Sequence, residues 1–133
     1  MSEENVEIVR RMYDWIPGPP EPVRKFFDPD YEMDLTDFQV VDIGVVRGFD
    51  AADRAIRSYY EAFENFHIEI EELIHADKEH VVASVHDGGR MRGSDSEVRT
   101  HRFHVWTFRD GKIVRFSSHL DKNRALEAAG LSE

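Results

Sequence analysis

The chain has 133 residues, 33% of them charged and 41% hydrophobic, with a net charge of −10 and no cysteine. That length suits one domain with a real core, the acidic balance speaks against nucleic acid and anionic membrane as partners, and the lack of cysteine excludes disulfides, thiolate nucleophiles and thiolate metal sites. No apolar run approaches membrane-spanning length, and Met1-Ser2-Glu3-Glu4 is acidic where a signal peptide is basic, so a cytoplasmic protein is expected.

Ser2 is a good N-cap, and Glu3 and Glu4 suit the first turn of a helix. Val6, Val9, Tyr13 and Ile16 then recur at helical spacing until Pro17-Gly18-Pro19-Pro20 stops the pattern. A short second helix is predicted from Glu21 to Phe27, a turn at Asp28-Pro29-Asp30, and a strand from Tyr31 to Leu35. Within 36–48, Val40-Val41 and Val45-Val46 fit either a short strand pair or a loop over a pocket mouth. Asp50, with Asp53 three residues on, predicts the cap of a third helix whose stripe is Ala52, Ile56, Tyr59, Tyr60 and Phe63, closed by Asn65.

Beyond Asn65 the period changes from helical to two. Phe66–His75, His80–Arg92, Glu97–Arg109 and Lys112–Asp121 read as successive strands, and Asp121 or Asn123 starts a short terminal helix that Gly130 ends. Helices followed by strands predict a single α+β domain over 1–133 with an antiparallel meander, and a strongly twisted sheet of that kind curls around its helices into a cone with a small-molecule pocket. The Asp110-Gly111 pair joins the last two strands. Either a two-residue turn or a bulged turn fits, and a slip of one residue changes which side chains face each other. Under the bulged register His104 lies across from Ser118 and Trp106 from Phe116, an aromatic wall carrying one imidazole and one hydroxyl. A buried imidazole needs partners, so such a wall suits a pocket better than a sealed core.

The segments Glu4-Asn5-Val6-Glu7-Ile8-Val9-Arg10-Arg11-Met12-Tyr13, Asp28-Pro29-Asp30-Tyr31-Glu32-Met33, Arg47-Gly48, the run Val105-Trp106-Thr107-Phe108-Arg109-Asp110-Gly111-Lys112-Ile113-Val114 and the ending Leu120-Asp121-Lys122 through Gly130-Leu131 together resemble the SnoaL-like branch of the nuclear-transport-factor-two-like fold. The resemblance implies a six-stranded, mostly antiparallel cone wrapped around three helices of the N-terminal half, with a short C-terminal helix. It also implies a small-molecule pocket, usually a dimer, and usually no cofactor. The superfamily spans polyketide cyclases, a ketosteroid isomerase, dehydratases, epoxide hydrolases and binding modules, so the fold alone does not name the chemistry.

By that resemblance His104 matches the histidine of the cyclases and the enolate-stabilising acid of the isomerase, an acid–base role open to an imidazole of ordinary pKa. Asp34 lies near the isomerase base, and an apolar cone raises the pKa of such an acid. Tyr13 matches a first-helix hydrogen-bond donor. Ser118 stands where the cyclases carry their acid–base Asp, and a hydroxyl cannot be that base at neutral pH. Trp106, Phe116, Ser118, Tyr59 and Phe63 are expected to line the pocket.

Arg90 and Arg92 fit an exposed strand end paired with local acids. No His pair has the spacing of two that places ligands on one face of a strand, so no metal site is expected. These residues predict proton abstraction α to a carbonyl in a small apolar molecule. The competing readings are a non-catalytic binding module and a dimer with a sealed interior. A homodimer through the outer sheet face would bury Phe103, Val105 and Ile113 against the partner.

Overall fold

The computed structural model describes residues 2–38 and 44–131. Its elements in chain order are α1 (Ser2–Trp15), a 3-10 turn (Arg24–Phe26), β1 (Phe27–Asp34), β2 (Val45–Arg47), α2 (Phe49–Glu61), β3 (Phe63–Ala76), β4 (His80–Met91), β5 (Glu97–Arg109), β6 (Lys112–His119) and α3 (Lys122–Ala128). The strands form one sheet in the order β2-β1-β6-β5-β4-β3, and only the β1–β6 pair is parallel. This is the expected α+β cone. The predicted second helix shrinks to the 3-10 turn, and Asp28-Pro29-Asp30 becomes part of β1, with an irregularity between Phe27 and Glu32. Val45-Val46 is a strand, while Val40-Val41 lies outside the described residues, as does the side chain of Ser2. Gly48, not Asp50, occupies the N-cap of α2, and no side chain caps it. Asn65 falls inside β3 with a φ of 61°.

Three register shifts in β3 and one at the β5–β6 hairpin account for the curvature, since each extra residue bends its strand and increases the local twist. The hairpin uses the two-residue turn, with a separate bulge further along its second arm. Asp110 and Gly111 both have positive φ, the signature of a two-residue type I′ turn between Arg109 and Lys112. One pair further, Phe108 opposes Ile113 and Thr107 opposes Arg115, leaving Val114 as the bulged residue. His104 consequently faces Ser118 and Trp106 faces Phe116. The same bulge turns Ile113 inward, where it is fully buried in the main core, and not outward as the simple alternation predicts.

The inner face of the sheet (Val81, Ala83, Val85, Trp106, Phe108) packs on Val9 and Met12 of α1 and on Ala52 and Tyr59 of α2. Burying an apolar side chain of this size stabilises by roughly 1.5–3 kcal/mol. On the outer face Val82 and Val105 pack against Ala125 of α3 and Ala129 at its C-cap; the helix's N-cap is Asp121, accepting from the Asn123 and Arg124 amides. Val105 is therefore covered within its own chain, and Phe103 stays half-buried beside it.

One polar cluster is sealed inside the cone. Arg102 is fully buried, and its Nε donates to Asp87 Oδ2 at 3.0 Å. Its Nη1 donates to the Phe38 carbonyl at 3.1 Å, and Nη2 to the Tyr59 hydroxyl at 3.3 Å. The Tyr59 hydroxyl in turn donates to Asp87 Oδ1 at 2.9 Å, and the guanidinium lies 3.9 Å from the Phe38 ring centroid. A neighbouring glycine lets the strands close here: a Cβ on Gly88, whose φ is +149°, would sit 1.8 Å from the Val98 carbonyl oxygen. Removing one partner of a buried ion pair strands the other charge. Asp87→Ala is expected to cost about 3–5 kcal/mol in urea denaturation, and a loss below about 1 kcal/mol would show that the pair does not hold the core together.

Candidate functional site

The cone encloses a cavity of about 60 Å³. α1 contributes Met12 and Trp15 to it, Ile16 follows directly after, β1 contributes Phe27, Tyr31 and Met33, and the hairpin contributes Trp106 and Phe116. α2 contributes Phe49, Ala52, Asp53, Ile56 and Tyr60. Asp53 is the only charged residue in this lining, and Arg57 one turn on donates to it at 2.8 Å. The hydroxyls of Tyr31 and Tyr60 have no hydrogen-bond partner among the described residues. Neither is sealed, because Ser118 Oγ is the one sealed, unpartnered side-chain polar atom in that set. Burial pushes both phenols above their ordinary pKa, so they stay protonated donors.

Ser118 is fully buried and outside the cavity lining, and the other catalytic and pocket candidates from the sequence divide into four groups. Trp106 and Phe116 line the cavity. Tyr13 and His104 meet each other one layer behind that wall: the Tyr13 hydroxyl lies 2.7 Å from His104 Nδ1, Trp106 Nε1 donates to the same hydroxyl at 2.9 Å, and the Phe116 ring packs edge-on against the imidazole at 4.8 Å. Tyr59 and Phe63 are core, Tyr59 in the arginine cluster and Phe63 in an aromatic group with Tyr59 and Phe66. Asp34 is on the other face of the sheet. It pairs with Arg115 at 2.5 Å and accepts from the Thr36 hydroxyl and amide at 2.6 and 3.0 Å. Burial pulls its pKa up, but the Thr36 hydrogen bonds with the charges of Arg115 and His119 outweigh it, so the carboxyl titrates below its usual range. Asp34 thus lacks the raised pKa expected of a cone base, because β1 turns its odd residues, Tyr31 and Met33, to the cavity.

Trp106 Nε1 can only donate, so the Tyr13 hydroxyl accepts from it and shares a second hydrogen bond with His104 Nδ1. Burial, with the charges of Arg102 and His119, pushes the His104 pKa down to about 3. Near pH 7 the ring is neutral and can donate a hydrogen bond, but it holds no proton to give as an acid, and as a base it is weak. Arg90 pairs with Glu64 at 2.9 Å in the exposed region, which matches the solvated-strand-end reading.

Two measurements check this arrangement. In an imidazole ¹⁵N NMR titration, His104 is expected to stay neutral as the pH falls from 7 to about 4; a midpoint between about 5 and 7 would contradict the buried, hydrogen-bonded ring. The unfolded chain takes up a proton here below pH 6.5 and the folded chain does so only near 3. Stability should therefore fall across that window by about 1.4 kcal/mol per pH unit from this group. Ser118 is fully buried and its hydroxyl has no partner among the described residues. Ser118→Ala is accordingly expected to raise stability by about 1 kcal/mol in thermal or urea unfolding, and a comparable loss would reveal a partner for Oγ.

Similarity to other proteins agrees with this geometry. The family model for the SnoaL-like domain matches residues 9–116. A search of curated proteins returns no significant match. Among solved structures, a protein from Jannaschia sp. CCS1 assigned to the SnoaL-like polyketide cyclases superposes with a TM-score of 0.74 at 18% identity, covering 99% of this chain and 94% of that one. A protein with a ketosteroid isomerase-like fold from Catenulispora acidiphila DSM 44928, in complex with trimethylamine, gives 0.71 at 17% identity over 94% and 93% of the two chains. TerC, co-crystallised with polyporic acid, gives 0.72 at 18% identity over 93% and 96%. These identities carry the fold and not the activity. With the domain model spanning most of its length and the cone built as described, the chain belongs to the SnoaL-like family.

Proposed function

We propose that the chain binds a small, mostly apolar, carbonyl-bearing molecule in the cone and holds it without proton transfer. The observation that carries this reading is the lining itself: aromatic and aliphatic apart from Asp53, with the Tyr31 and Tyr60 hydroxyls as donors uncommitted among the described residues. Apolar walls supply affinity and a few placed polar groups fix orientation. The groups expected to move a proton are elsewhere, His104 neutral behind Trp106 and Phe116 and Asp34 committed to Arg115 outside the cavity. Two neighbours of the same fold hold small molecules, trimethylamine in one and polyporic acid in the other.

Size sets a condition on the ligand. A cavity of roughly 150 Å³ accommodates benzene, so the present 60 Å³ fits water-sized groups. A ring enters if the half-buried Trp15 and Phe49 at the lining move aside.

A second reading has its own observation. Asp53 lines the cavity, and a carboxylate there could take a proton α to a bound carbonyl. The two readings separate by titrating cyclic ketones and matched hydrocarbons against tryptophan fluorescence, then following α-proton exchange of the ketone in D₂O by NMR. Binding without turnover is expected to give a ketone preference that Tyr60→Phe reduces by about 2- to 10-fold, the worth of one neutral hydrogen bond, with exchange at the buffer rate. Exchange above buffer that Asp53→Asn abolishes would establish the second reading. No preference for ketone over hydrocarbon would overturn the assignment to the phenols.

A further inference from the structure

We propose that Glu71, His86 and His101 form a binding site for a divalent transition-metal cation of the zinc class on the outer face of the sheet. The site is on the opposite side of the sheet from the cone and does not depend on what the cone binds.

Register brings the three residues together from three adjacent strands. His86 of β4 stands directly opposite His101 of β5. On β3, Ile70 pairs with Val85 and Glu72 with Ser84, so Glu71 is the extra residue of a bulge. A bulge re-aims the side chain it inserts, and here it adds a carboxylate to the histidine pair. One donor atom from each residue can be chosen so that all three lie within 4.8 Å of one another, the one such group of histidines and acids among the described residues.

The spacing suits a metal better than an ion pair alone. Bonds of about 2.0–2.1 Å in a tetrahedral site set neighbouring donor atoms roughly 3.3 Å apart. His101 Nε2 and Glu71 Oε1 are already 3.3 Å apart, and His86 Nδ1 and Glu71 Oε2 are 3.8 Å apart. The imidazoles are stacked with centroids 4.6 Å apart, so one ring must turn for both lone pairs to converge. His101, with 45% of its side chain exposed, is free to do so, while His86 at 15% is held by its surroundings. Ser84 organises the set before any ion arrives. Its hydroxyl donates to Glu71 Oε1 at 3.0 Å and accepts from His101 Nε2 at 2.5 Å, a hydrogen bond and a proton that Nε2 gives up when it takes the ion. Two imidazoles and one carboxylate match the preferences of zinc, nickel and copper over magnesium and calcium, and leave a fourth position for water.

The test uses the full chain without a histidine tag. Zn²⁺ titrated by calorimetry is expected to bind once per chain, and Co²⁺ to develop the visible absorption of a four-coordinate ion. In NMR of the unmodified chain, Zn²⁺ should move the imidazole resonances of His86 and His101 and leave those of His67 and His75 in place. His86→Ala, His101→Ala and Glu71→Gln should each weaken binding at least about tenfold, since even losing a residue that merely supports a ligand costs that much. His67→Ala, on the same face but outside the set, serves as the control and should bind as the parent does. Saturable binding that the three variants leave within about twofold, binding that His67→Ala also removes, or no saturable binding would each overturn the site.

Discussion

The register of the β5–β6 hairpin decides what the inside of this molecule contains. A side-chain period of two means that a slip of one residue in β6 would turn Phe116 and Ser118 outward, away from His104 and Trp106 on the facing arm. The chain holds its register by two local features in tandem: a type I′ turn at Asp110-Gly111, where both residues take positive φ, and the bulge at Val114 one pair beyond. The turn alone would put the second arm out of phase with the first for pocket building. The bulge corrects the phase, and Ile113 drops into the core while Phe116 and Ser118 come into line with Trp106 and His104. The cavity wall and the buried network behind it inherit their positions from that correction, while the outer cluster is placed by the β3–β4 and β4–β5 registers.

With the wall fixed, the interior obeys a rule of polar accounting. Every buried donor has to find an acceptor or be reachable by something else. Arg102 meets the rule by gathering Asp87, Tyr59 and the Phe38 carbonyl, which also ties the segment after β1 to the sheet. Tyr13 meets it for two neighbours at once, as acceptor to Trp106 and as hydrogen-bond partner to His104 Nδ1. Ser118 does not meet it, and the hydroxyls of Tyr31 and Tyr60 are left to the cavity. The first two clusters use up the histidine and the acid that would be reactive in a solvated cleft. The hydroxyls of Ser118, Tyr31 and Tyr60, without partners among the described residues, are good at recognising a carbonyl oxygen and poor at taking a proton near pH 7.

Much of this was legible in the residues. The change from helical period to period two after α2 predicts helices before a meander, and the Asp-Gly pair marks the hairpin. The aromatic content of its arms predicts a pocket wall at Trp106 and Phe116. What was not legible depends on contacts between distant segments. Alternation along β5 puts Arg102 on the inner face beside His104, but nothing local says that an arginine there is matched by Asp87. The depressed His104 pKa follows from burial behind two aromatic rings, which no spacing reveals. Asp34 looked like a cone base because the exact phase of β1 was open. Met33 and not Asp34 faces the cavity, and one residue of phase reverses the chemistry. The histidine pair was missed for a related reason: spacing of two is sought along one strand, whereas His86 and His101 are neighbours across two.

The two faces of the sheet consequently divide the chemistry between them. Inside, low dielectric penalises charge, and the ionised groups that remain are locked to one another or to a helix partner, as Arg102 is to Asp87 and Asp53 to Arg57. Outside, the acidic excess of the chain and its histidines can gather without that penalty: Glu71 with His86 and His101, Asp37 with His119 and Arg124, Asp34 with Arg115. A strand that serves both faces alternates between the two regimes. On β5, His101, Phe103 and Val105 belong to the outer face and Arg102, His104 and Trp106 to the inner. The same residue type therefore has opposite prospects on adjacent positions of one strand. His104 is sealed, neutral and committed to Tyr13, while His101 keeps half its surface in solvent, close to a carboxylate and a second imidazole. In a cone of this kind, the face a histidine occupies says more about what it can do than the family position it matches.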